Sequence, residues 1–417
     1  MSTNSTYYYG SYVRIKTNKS PQLTWPTDSD KFATNTNNGN GSLTYPVGLI
    51  TADEVAMAGG VDSAVGAYLL KKEGYEVIGL FMRNWDSNIN NDILGNPNDT
   101  NDICPQEKDY NDAKKVCEFL EIELHRIDFI KEYWDFVFTY FLEELKKGRT
   151  PNPDMLCNKY IKFDLFVKEA RRLGADYIAT GHYARIKGNK LLRAKDLNKD
   201  QTYFLADVNV NNFKDVLFPV GDYTKPEIRE IAKEVGIPVF DKKDSTGICF
   251  IGERNFQKFM ANYLKPNPGD IINVETGEKI GTHMGLMNYT IGQRKNVGLS
   301  GDEERHYVCG KDTKKNILYV AFGESEYLYS DECIVDNVNF ISSKRPSFCT
   351  CKFRYRGEDH PCALEYLENN KIKVIYKGKA KSVTPGQACV FYDGEECLGC
   401  GFIDEVFKDG EKLWYLN

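Results

Sequence analysis

The sequence feature that most constrains the fold is a glycine turn inside a strand–helix–strand pattern at residues 54–82. This stretch reads EVAMAGGVDSAVGAYLLKKEGYEVIGLFM. Residues 64–73 place apolar side chains at helical spacing before Gly74, and residues 75–82 form an apolar run typical of a buried strand. The pattern predicts a βαβ unit. Helical and strand-like stretches continue to alternate as far as residues 175–180, which predicts an α/β fold with a doubly wound parallel sheet.

Length and composition indicate several domains. The chain has 417 residues, of which 41% are hydrophobic, and this suits two or three domains with packed cores. Beyond about residue 215 the sequence pattern changes. A helical stretch is followed by segments that Pro and Gly residues interrupt. Past about residue 325, short β-rich pieces separated by turns predict a small β-barrel.

The N-terminal segment differs from the rest. Residues 1–50 are rich in Ser, Thr, Asn and Gly without a clear period, which predicts a disordered low-complexity extension. Its acid-poor start is equally compatible with a targeting segment, so mitochondrial and cytoplasmic locations both stay open. No apolar run is long enough to span a membrane, and no secretory signal core is present, which predicts a soluble intracellular protein. A net charge of −6 argues against a generally basic nucleic-acid-binding surface but allows a local one.

The glycine turn has the chemistry of an anion site. It is not a Walker loop, because no Lys-Ser/Thr pair follows at the required distance, and it is not a G-x-G-x-x-G turn. A GGVDS turn opening a helix instead offers consecutive backbone N–H groups and a positive helix end to a phosphate. Ser63 adds a hydroxyl, and Asp62 could hold Mg²⁺ or polarise a neighbour. The alternative is an ordinary tight β–α turn.

A second stretch, GRTPNPDMLCNKYIKF at residues 148–163, places Asp154 and Cys157 on one face of a predicted helix. A carboxylate beside a thiol can exchange protons with it or with a substrate, and Lys159 and Lys162 supply positive charge nearby. The alternative is a buried cysteine in a capped helix. In DSTGICFIGER, residues 244–254, Cys249 lies in a short apolar stretch after Gly247, and sequence alone does not bring it near Cys157.

The remaining cysteines predict no metal site. The pair in CLGC, residues 397–400, has the spacing of metal ligands, and CTC, residues 349–351, could supply a second pair. Scattered cysteines in a β-rich region are more typical of a barrel core or edge, and that is our interpretation.

Together these stretches resemble the tRNA-specific 2-thiouridylases of the MnmA/TrmU family, which belong to the PP-loop ATP pyrophosphatases. The resemblance covers roughly residues 55–405. Besides the three stretches above, it rests on GLFMRNW, ATGHYARI, KDQTYFL, NYTIGQRKNVGL, RYRG and VTPGQACVFYDGEECLG.

The resemblance implies a PP-loop domain, a small central domain and a C-terminal β-barrel. We expect boundaries at 51–215 (with a returning segment near 239–256), 216–325 and 326–417. The implied reaction uses ATP and Mg²⁺ to adenylate the C2 oxygen of the wobble uridine of tRNA. A cysteine persulfide, charged by a cysteine desulfurase or sulfur relay protein, then supplies the sulfur.

The resemblance also implies roles for particular residues. The catalytic residues would be the acid/base Asp154, the nucleophile Cys157 and the persulfide-bearing Cys249. The implied ATP site consists of Ala56, Met57, Ala58, Gly59, Gly60, Val61, Asp62, Ser63, Met82 and Gly181. The implied contacts to the target base and the tRNA are Asn152, Pro153, Asp154, Lys199, Asp200, Gln201, Arg354 and Tyr355. Whether Cys157 and Cys249 form a disulfide at rest stays open.

The chain departs from the family pattern at two places. The family loop reads Ser-Gly-Gly-x-Asp-Ser, but Ala58 replaces its first serine, which predicts weakened rather than absent ATP use. Asp53 and Glu54 occupy a strand that is apolar in the family, which predicts a short strand or an unusual upstream segment. Two other functions therefore stay open, another PP-loop adenylating enzyme and a tRNA-binding protein with impaired catalysis.

Overall fold

The computed structural model describes residues 13–15, 53–56, 60–86, 89–92, 105–243, 255–299 and 305–416. Within these ranges the chain forms three β-structures, a parallel sheet covered by helices, a four-stranded sheet and a closed barrel. Among the described residues, no helix is both long and apolar enough to traverse a bilayer.

The first domain contains a parallel sheet whose central strand precedes the glycine turn. Its parallel strands lie in the order Leu124–Asp128, Val77–Arg83, Asp53–Ala56, Ile178–Ala179 and Val216–Leu217. The central strand has only four residues, in keeping with the charged Asp53 and Glu54 in its sequence. Val13–Ile15 pair antiparallel with it, so three residues of the segment predicted to be disordered form a strand. The rest of residues 1–52 lies outside the described residues.

Helices connect these strands and carry much of the first core. The principal helical segments are Val61–Lys72, Pro105–Leu120, Ile130–Tyr133, Trp134–Phe138, Thr139–Lys146, Pro153–Leu156, Cys157–Leu165, Phe166–Arg172 and Lys225–Val235. Shorter helical turns span Thr202–Leu205, Val210–Phe213 and Phe256–Met260. Trp134–Phe138 and Cys157–Leu165 are π-helical insertions within longer helices.

The first domain extends beyond the boundary predicted at residue 215. Val216–Leu217 pair with Ile178–Ala179 at the edge of the first sheet. In the helix Lys225–Val235, Ile228 and Ala232 are fully buried in the first core. The change of sequence pattern near residue 215 predicted a new domain, but the apolar face of this helix is buried in the core of the first domain.

The central four-stranded sheet follows. Its strands lie in the order Lys279–His283, Gly269–Asn273, Ile317–Phe322 and His306–Asp312. The two inner strands run parallel and the outer pairs antiparallel. A small apolar core lies on it, formed by residues such as Ile271, Val308 and Leu318.

The C-terminal strands close into a six-stranded barrel, as predicted. Their order around the barrel is Tyr329–Phe340, Lys371–Lys381, His360–Leu367, Phe348–Lys352, Ala388–Asp393 and Glu396–Lys408, which pairs back to the first. Glu411–Lys412 extend the last strand. A hairpin of the first domain, Ala184–Lys187 and Lys190–Arg193, joins the barrel edge through Leu192 and Glu396.

Candidate active site

The glycine turn lies where the strand order of the first sheet reverses. From the central strand the chain proceeds outward on one side to Leu124–Asp128 and then returns to fill the other side with Ile178–Ala179. Ligands of open parallel sheets bind in the crevice at such a switch point, beyond the carboxyl ends of the strands. Both the glycine turn and Gly181 follow strands that flank this crevice.

The first turn of the helix Val61–Lys72 is built to present backbone N–H groups. Gly60 is extended (φ −108°, ψ 157°) and, having no side chain, does not itself cap the helix. The Ser63 hydroxyl donates to Gly60 O at 3.0 Å and is buried. This arrangement suits an anion at the helix N-terminus.

Gly181 packs directly on that helical turn. A Cβ atom at Gly181 would lie 3.0 Å from Ser63 N and 3.2 Å from Ser63 Cα. These are backbone atoms, so only glycine fits without a shift of the loop. Met82, at the other flank, is fully buried in the first core.

Asp62 has partners that sequence reasoning missed. Its Oδ1 accepts a hydrogen bond from the Tyr183 hydroxyl at 2.7 Å and from Lys225 Nζ at 2.6 Å. The Lys225 side chain is only 10% exposed. Lys225 lies in KPEIREIAKEV, at the start of a helix where its ammonium adjoins the loop, and nothing in the local sequence marks it as a ligand. The loop therefore has a buried cation beside its carboxylate.

Part of the predicted site lies outside the described residues. This applies to Met57, Ala58, Gly59 and Cys249, and of Ala56 only the backbone strand is described. The convergence of Cys157 and Cys249 therefore remains a prediction.

Asp154 and Cys157 share one face of a helix, as the spacing predicts. Asn152 caps the helix by accepting from Met155 N at 3.4 Å, and Pro153 occupies its first turn. The helix then widens into the π-helical segment Cys157–Leu165. Such insertions are frequent at functional sites. The Cys157 side chain is buried at its start.

The Asp154 carboxyl is poised to exchange a proton near neutral pH. Its Oδ1 is buried without a hydrogen-bond partner among the described residues. Desolvation raises the pKa of Asp154 to about 7, and the Lys162 ammonium opposes this shift. Lys162 is buried, whereas Lys159 points to Asp207, which it contacts at 3.1 Å. Of the two lysines singled out in the sequence, Lys162 is therefore the one facing the carboxyl.

His182 links the two halves of the site. Its ring contacts Phe163 of the Cys157 helix, with centroids 5.7 Å apart, and it follows Gly181 directly. Burial, aided by Lys162, holds the pKa of His182 well below its usual value, so the ring is neutral. His182 Nδ1 lies 2.7 Å from the Thr180 hydroxyl. A continuous path of contacts thus joins the glycine turn to the Asp154–Cys157 helix.

The turn before this helix is anchored on the barrel. Thr150 N donates to Pro385 O at 2.9 Å, and Gln387 Nε2 donates to Thr150 O at 2.7 Å. Arg149 pairs with Asp404 of the barrel at 2.7 Å. The barrel therefore helps to fix the position of Asp154 and Cys157.

The residues predicted to contact tRNA lie along the junctions between domains. Buried Asp200 accepts from Ala194 N at 3.0 Å and from the Thr202 hydroxyl at 2.8 Å. Arg354 Nη2 donates to Ile291 O at 2.7 Å and to Ser382 O at 2.8 Å, and so bridges the central domain and the barrel.

Two neighbours complete this junction. Gln201 Oε1 accepts from Tyr183 N at 2.8 Å. The Tyr355 hydroxyl donates to Lys199 O at 3.3 Å. This whole set organises the domain junction beside the site.

The comparisons with known proteins agree with this architecture. Residues 53–253 match the family model described as tRNA methyl transferase HUP domain, 257–322 its PRC-barrel domain, and 330–403 an aminomethyltransferase beta-barrel domain. The tRNA-specific 2-thiouridylase MnmA of Mycoplasmopsis synoviae is 54% identical over 87% of this chain and 98% of its own length. The chain belongs to the MnmA family of tRNA-specific 2-thiouridylases.

Other MnmA proteins match over a similar extent. That of Mycoplasma capricolum is 53% identical over 85% of this chain and 98% of its own length. That of Geobacillus thermodenitrificans is 50% identical over 87% of this chain and 97% of its own length. The MnmA resemblance predicted from motifs is thus confirmed over all three domains, and the fold class with it.

Proposed function

We propose that this protein is an ATP-dependent tRNA sulfurtransferase that converts the C2 oxygen of the wobble uridine to sulfur. The observation that carries the proposal is the contact path from Ser63 through Gly181 and His182 to the helix of Asp154 and Cys157. This path supports a proposal in which the helix terminus binds an anion and the thiol–carboxyl pair acts in the same site. Relatives 50–54% identical over nearly their full length carry the name tRNA-specific 2-thiouridylase.

ATP fits the glycine turn as a substrate. Gly181 packs closely on the first turn of this helix, and a helix N-terminus is a favourable place for a phosphate to accept backbone N–H groups. Lys225 would add a positive charge to the same phosphates. Because the Asp62 carboxylate already pairs with Lys225, we assign no resident metal and expect Mg²⁺ to arrive bound to ATP.

The first step would be attack of the uridine O2 on the α-phosphorus, with pyrophosphate leaving. A carbonyl oxygen is a poor leaving group, and adenylation turns it into part of AMP. Asp154, with its pKa near neutrality, could take or return the proton that the uracil ring exchanges during this step.

The second step would transfer sulfur from a Cys249 persulfide. Its terminal sulfur attacks C2 and AMP leaves, so that uridine and Cys249 are joined through two sulfurs. The Cys157 thiolate then attacks the Cys249 sulfur and releases the thiocarbonyl. This leaves a Cys157–Cys249 disulfide, which an external dithiol reduces before a sulfur-donor protein reloads Cys249.

The target base must leave its stack to reach the partly buried carboxyl of Asp154 and the buried thiol of Cys157. We propose that the Asn152–Pro153–Asp154 turn faces the extruded base and that Lys199, Gln201 and Tyr355 contact the tRNA at the rim. The basic stretch 371–381 is a weaker candidate. Its lysines pair with carboxylates, among them Lys373 with Glu332 and Lys381 with Glu324.

The decisive assay combines the full-length protein with ATP, Mg²⁺, a sulfur-donor protein that carries a persulfide, and unmodified tRNA. Mass analysis of the wobble nucleoside should show one oxygen replaced by sulfur. Cys157→Ser and Cys249→Ser should abolish the product. Cys397→Ser, which alters a thiol buried in the barrel, is the matched control and should retain it.

Other outcomes would support the alternatives. ATP cleavage to AMP and pyrophosphate without dependence on tRNA would indicate another adenylating enzyme. Tight tRNA binding without ATP cleavage or sulfur incorporation would indicate a binding protein with impaired catalysis. Either result would refute the proposed activity.

A further inference from the structure

Two thiols face each other on neighbouring barrel strands, one on each side of the stretch that contains Arg354 and Tyr355. Cys349 and Cys362 are direct partners in the antiparallel pair Phe348–Lys352 and His360–Leu367. Their sulfur atoms lie 3.6 Å apart. Opposed residues of an antiparallel pair have Cα atoms about 4.5–5.5 Å apart, within the range of about 4.4–6.8 Å that a disulfide requires.

The two thiols differ in access. Cys349 is partly exposed, and its neighbour Phe348 is 79% exposed. Cys362 is buried beneath it. A small reagent can therefore reach Cys349 first, with Cys362 already in contact behind it.

A third thiol, Cys351, lies on the same strand and also contacts Cys362, but its direct cross-strand partner is His360. It is fully buried, so it is not the point of entry. Within the described residues no three ligands are grouped in a way that could hold a metal ion. The geometry therefore favours a pairwise reaction over metal binding.

We propose that Cys349 and Cys362 form a reversible modification site that exchanges with low-molecular-weight disulfides. The Cys349 thiol gives its proton to the solvent as its sulfur attacks one sulfur of the external disulfide, forming a mixed disulfide and releasing one thiol. Cys362 then attacks the Cys349 sulfur, closing the intramolecular disulfide and releasing the second thiol. The two protein thiols lose two electrons and two protons, and the external disulfide is reduced to two thiols.

The cross-link would constrain the strand Phe348–Lys352, which leads into a contact between two domains. Phe348–Lys352 continue directly into Phe353 and Arg354, and Arg354 bridges the barrel to the central domain. A bond between Cys349 and Cys362 would close a short loop that contains Arg354. Oxidation should therefore stabilise the barrel without adding a new contact.

The test uses the full-length protein incubated with oxidised glutathione at graded ratios to reduced glutathione. After thiol blocking and digestion with trypsin, Cys349 lies in peptide 345–352 and Cys362 in peptide 357–371. We expect these two peptides to become joined, with loss of two hydrogens, and to separate again on reduction. Oxidised protein should also melt at a higher temperature than reduced protein.

Variants identify the reacting pair. In Cys362→Ser the reaction should stop at the mixed disulfide between glutathione and Cys349. Cys349→Ser should form neither this mixed disulfide nor the joined peptides. Cys351→Ser, the matched control on the same strand, should still give the joined peptides. Joined peptides that persist in Cys349→Ser, or that appear only after unfolding in urea, would overturn the proposal. Their absence at every glutathione ratio would do the same.

Discussion

The raised pKa of Asp154 leads to a quantitative prediction for Asp154→Asn. In the native protein the pKa of this carboxyl is about 7, against an ordinary value of 3.8. Because one pKa unit corresponds to about 1.4 kcal/mol, ionising the buried carboxylate costs about 4 kcal/mol. Asparagine has nearly the same shape and no charge, so the variant avoids this cost.

The sign follows from the protons bound in each state. Below pH 3.8 the carboxyl is protonated in both native and unfolded protein, so the cost is absent. Between pH 3.8 and about 7 the unfolded chain releases the proton while the native protein retains it, and wild-type stability falls as the pH rises. Above about pH 7 the full cost is present. Asp154→Asn should therefore gain stability relative to wild type as the pH rises, by up to about 4 kcal/mol.

The measurement is urea unfolding of both proteins between pH 4 and pH 8, monitored by fluorescence of the buried Trp85 in the first domain. Asp164→Asn, which removes a carboxylate paired with Lys168 from the same helix, is the matched control. The same Asp154→Asn variant should lose activity by about 10²–10⁴-fold. A stability difference that does not change with pH would refute the reasoning, because desolvation of the carboxyl would then not control its charge.

Four further variants address the ATP half of the site and its electrostatics. Lys225→Ala should raise the KM for ATP about tenfold or more in steady-state kinetics, since a hydrogen bond to a charged group contributes roughly 1.5–3 kcal/mol. Lys225→Arg keeps the positive charge and should restore part of the affinity for ATP. Gly181→Ala places a Cβ 3.0 Å from Ser63 N, so it should lower the free energy of unfolding by about 1–3 kcal/mol and weaken ATP binding measured by calorimetry. Gly66→Ala, whose Cβ would meet only ordinary contacts from 3.5 Å, is its control. Ala58→Ser should increase ATP cleavage by restoring the family hydroxyl, and unchanged kcat/KM would show that the backbone alone suffices. Lys162→Met should raise the pKa of Asp154 further, since Lys162 lowers it, and so move the corresponding limb of the pH–rate profile upward.

Local patterns predicted much of the fold. The apolar run ending at Met82, the helix after Gly60 and the turn residues of the barrel are signals carried by neighbouring residues. The shared face of Asp154 and Cys157 followed from their spacing alone. The end of the first domain was harder to predict, because the burial of Ile228 and Ala232 in the first core depends on residues far away in the sequence. The nearby Pro and Gly residues give no sign of it.

The electrostatics of the site could not be predicted from the sequence. Lys159 and Lys162 are equivalent in a linear reading, and only the folded helix directs one to Asp207 and the other towards Asp154. The pairing of Lys225 with Asp62 joins the starts of two different helices. Likewise, Arg354 and Asp200 matched stretches expected to contact tRNA, but their hydrogen bonds at the domain junction depend on the packing of all three domains.

The contacts of Thr150 with Pro385 and Gln387 have a consequence for how the chain can be divided. A fragment ending before the barrel would keep its parallel sheet, yet the loop leading into Asn152 would lose the hydrogen bonds that fix its backbone. The geometry proposed for catalysis in the N-terminal half therefore depends on a hydrogen bond to a residue 237 positions further along the chain. That bond forms only after the barrel has been synthesised and folded.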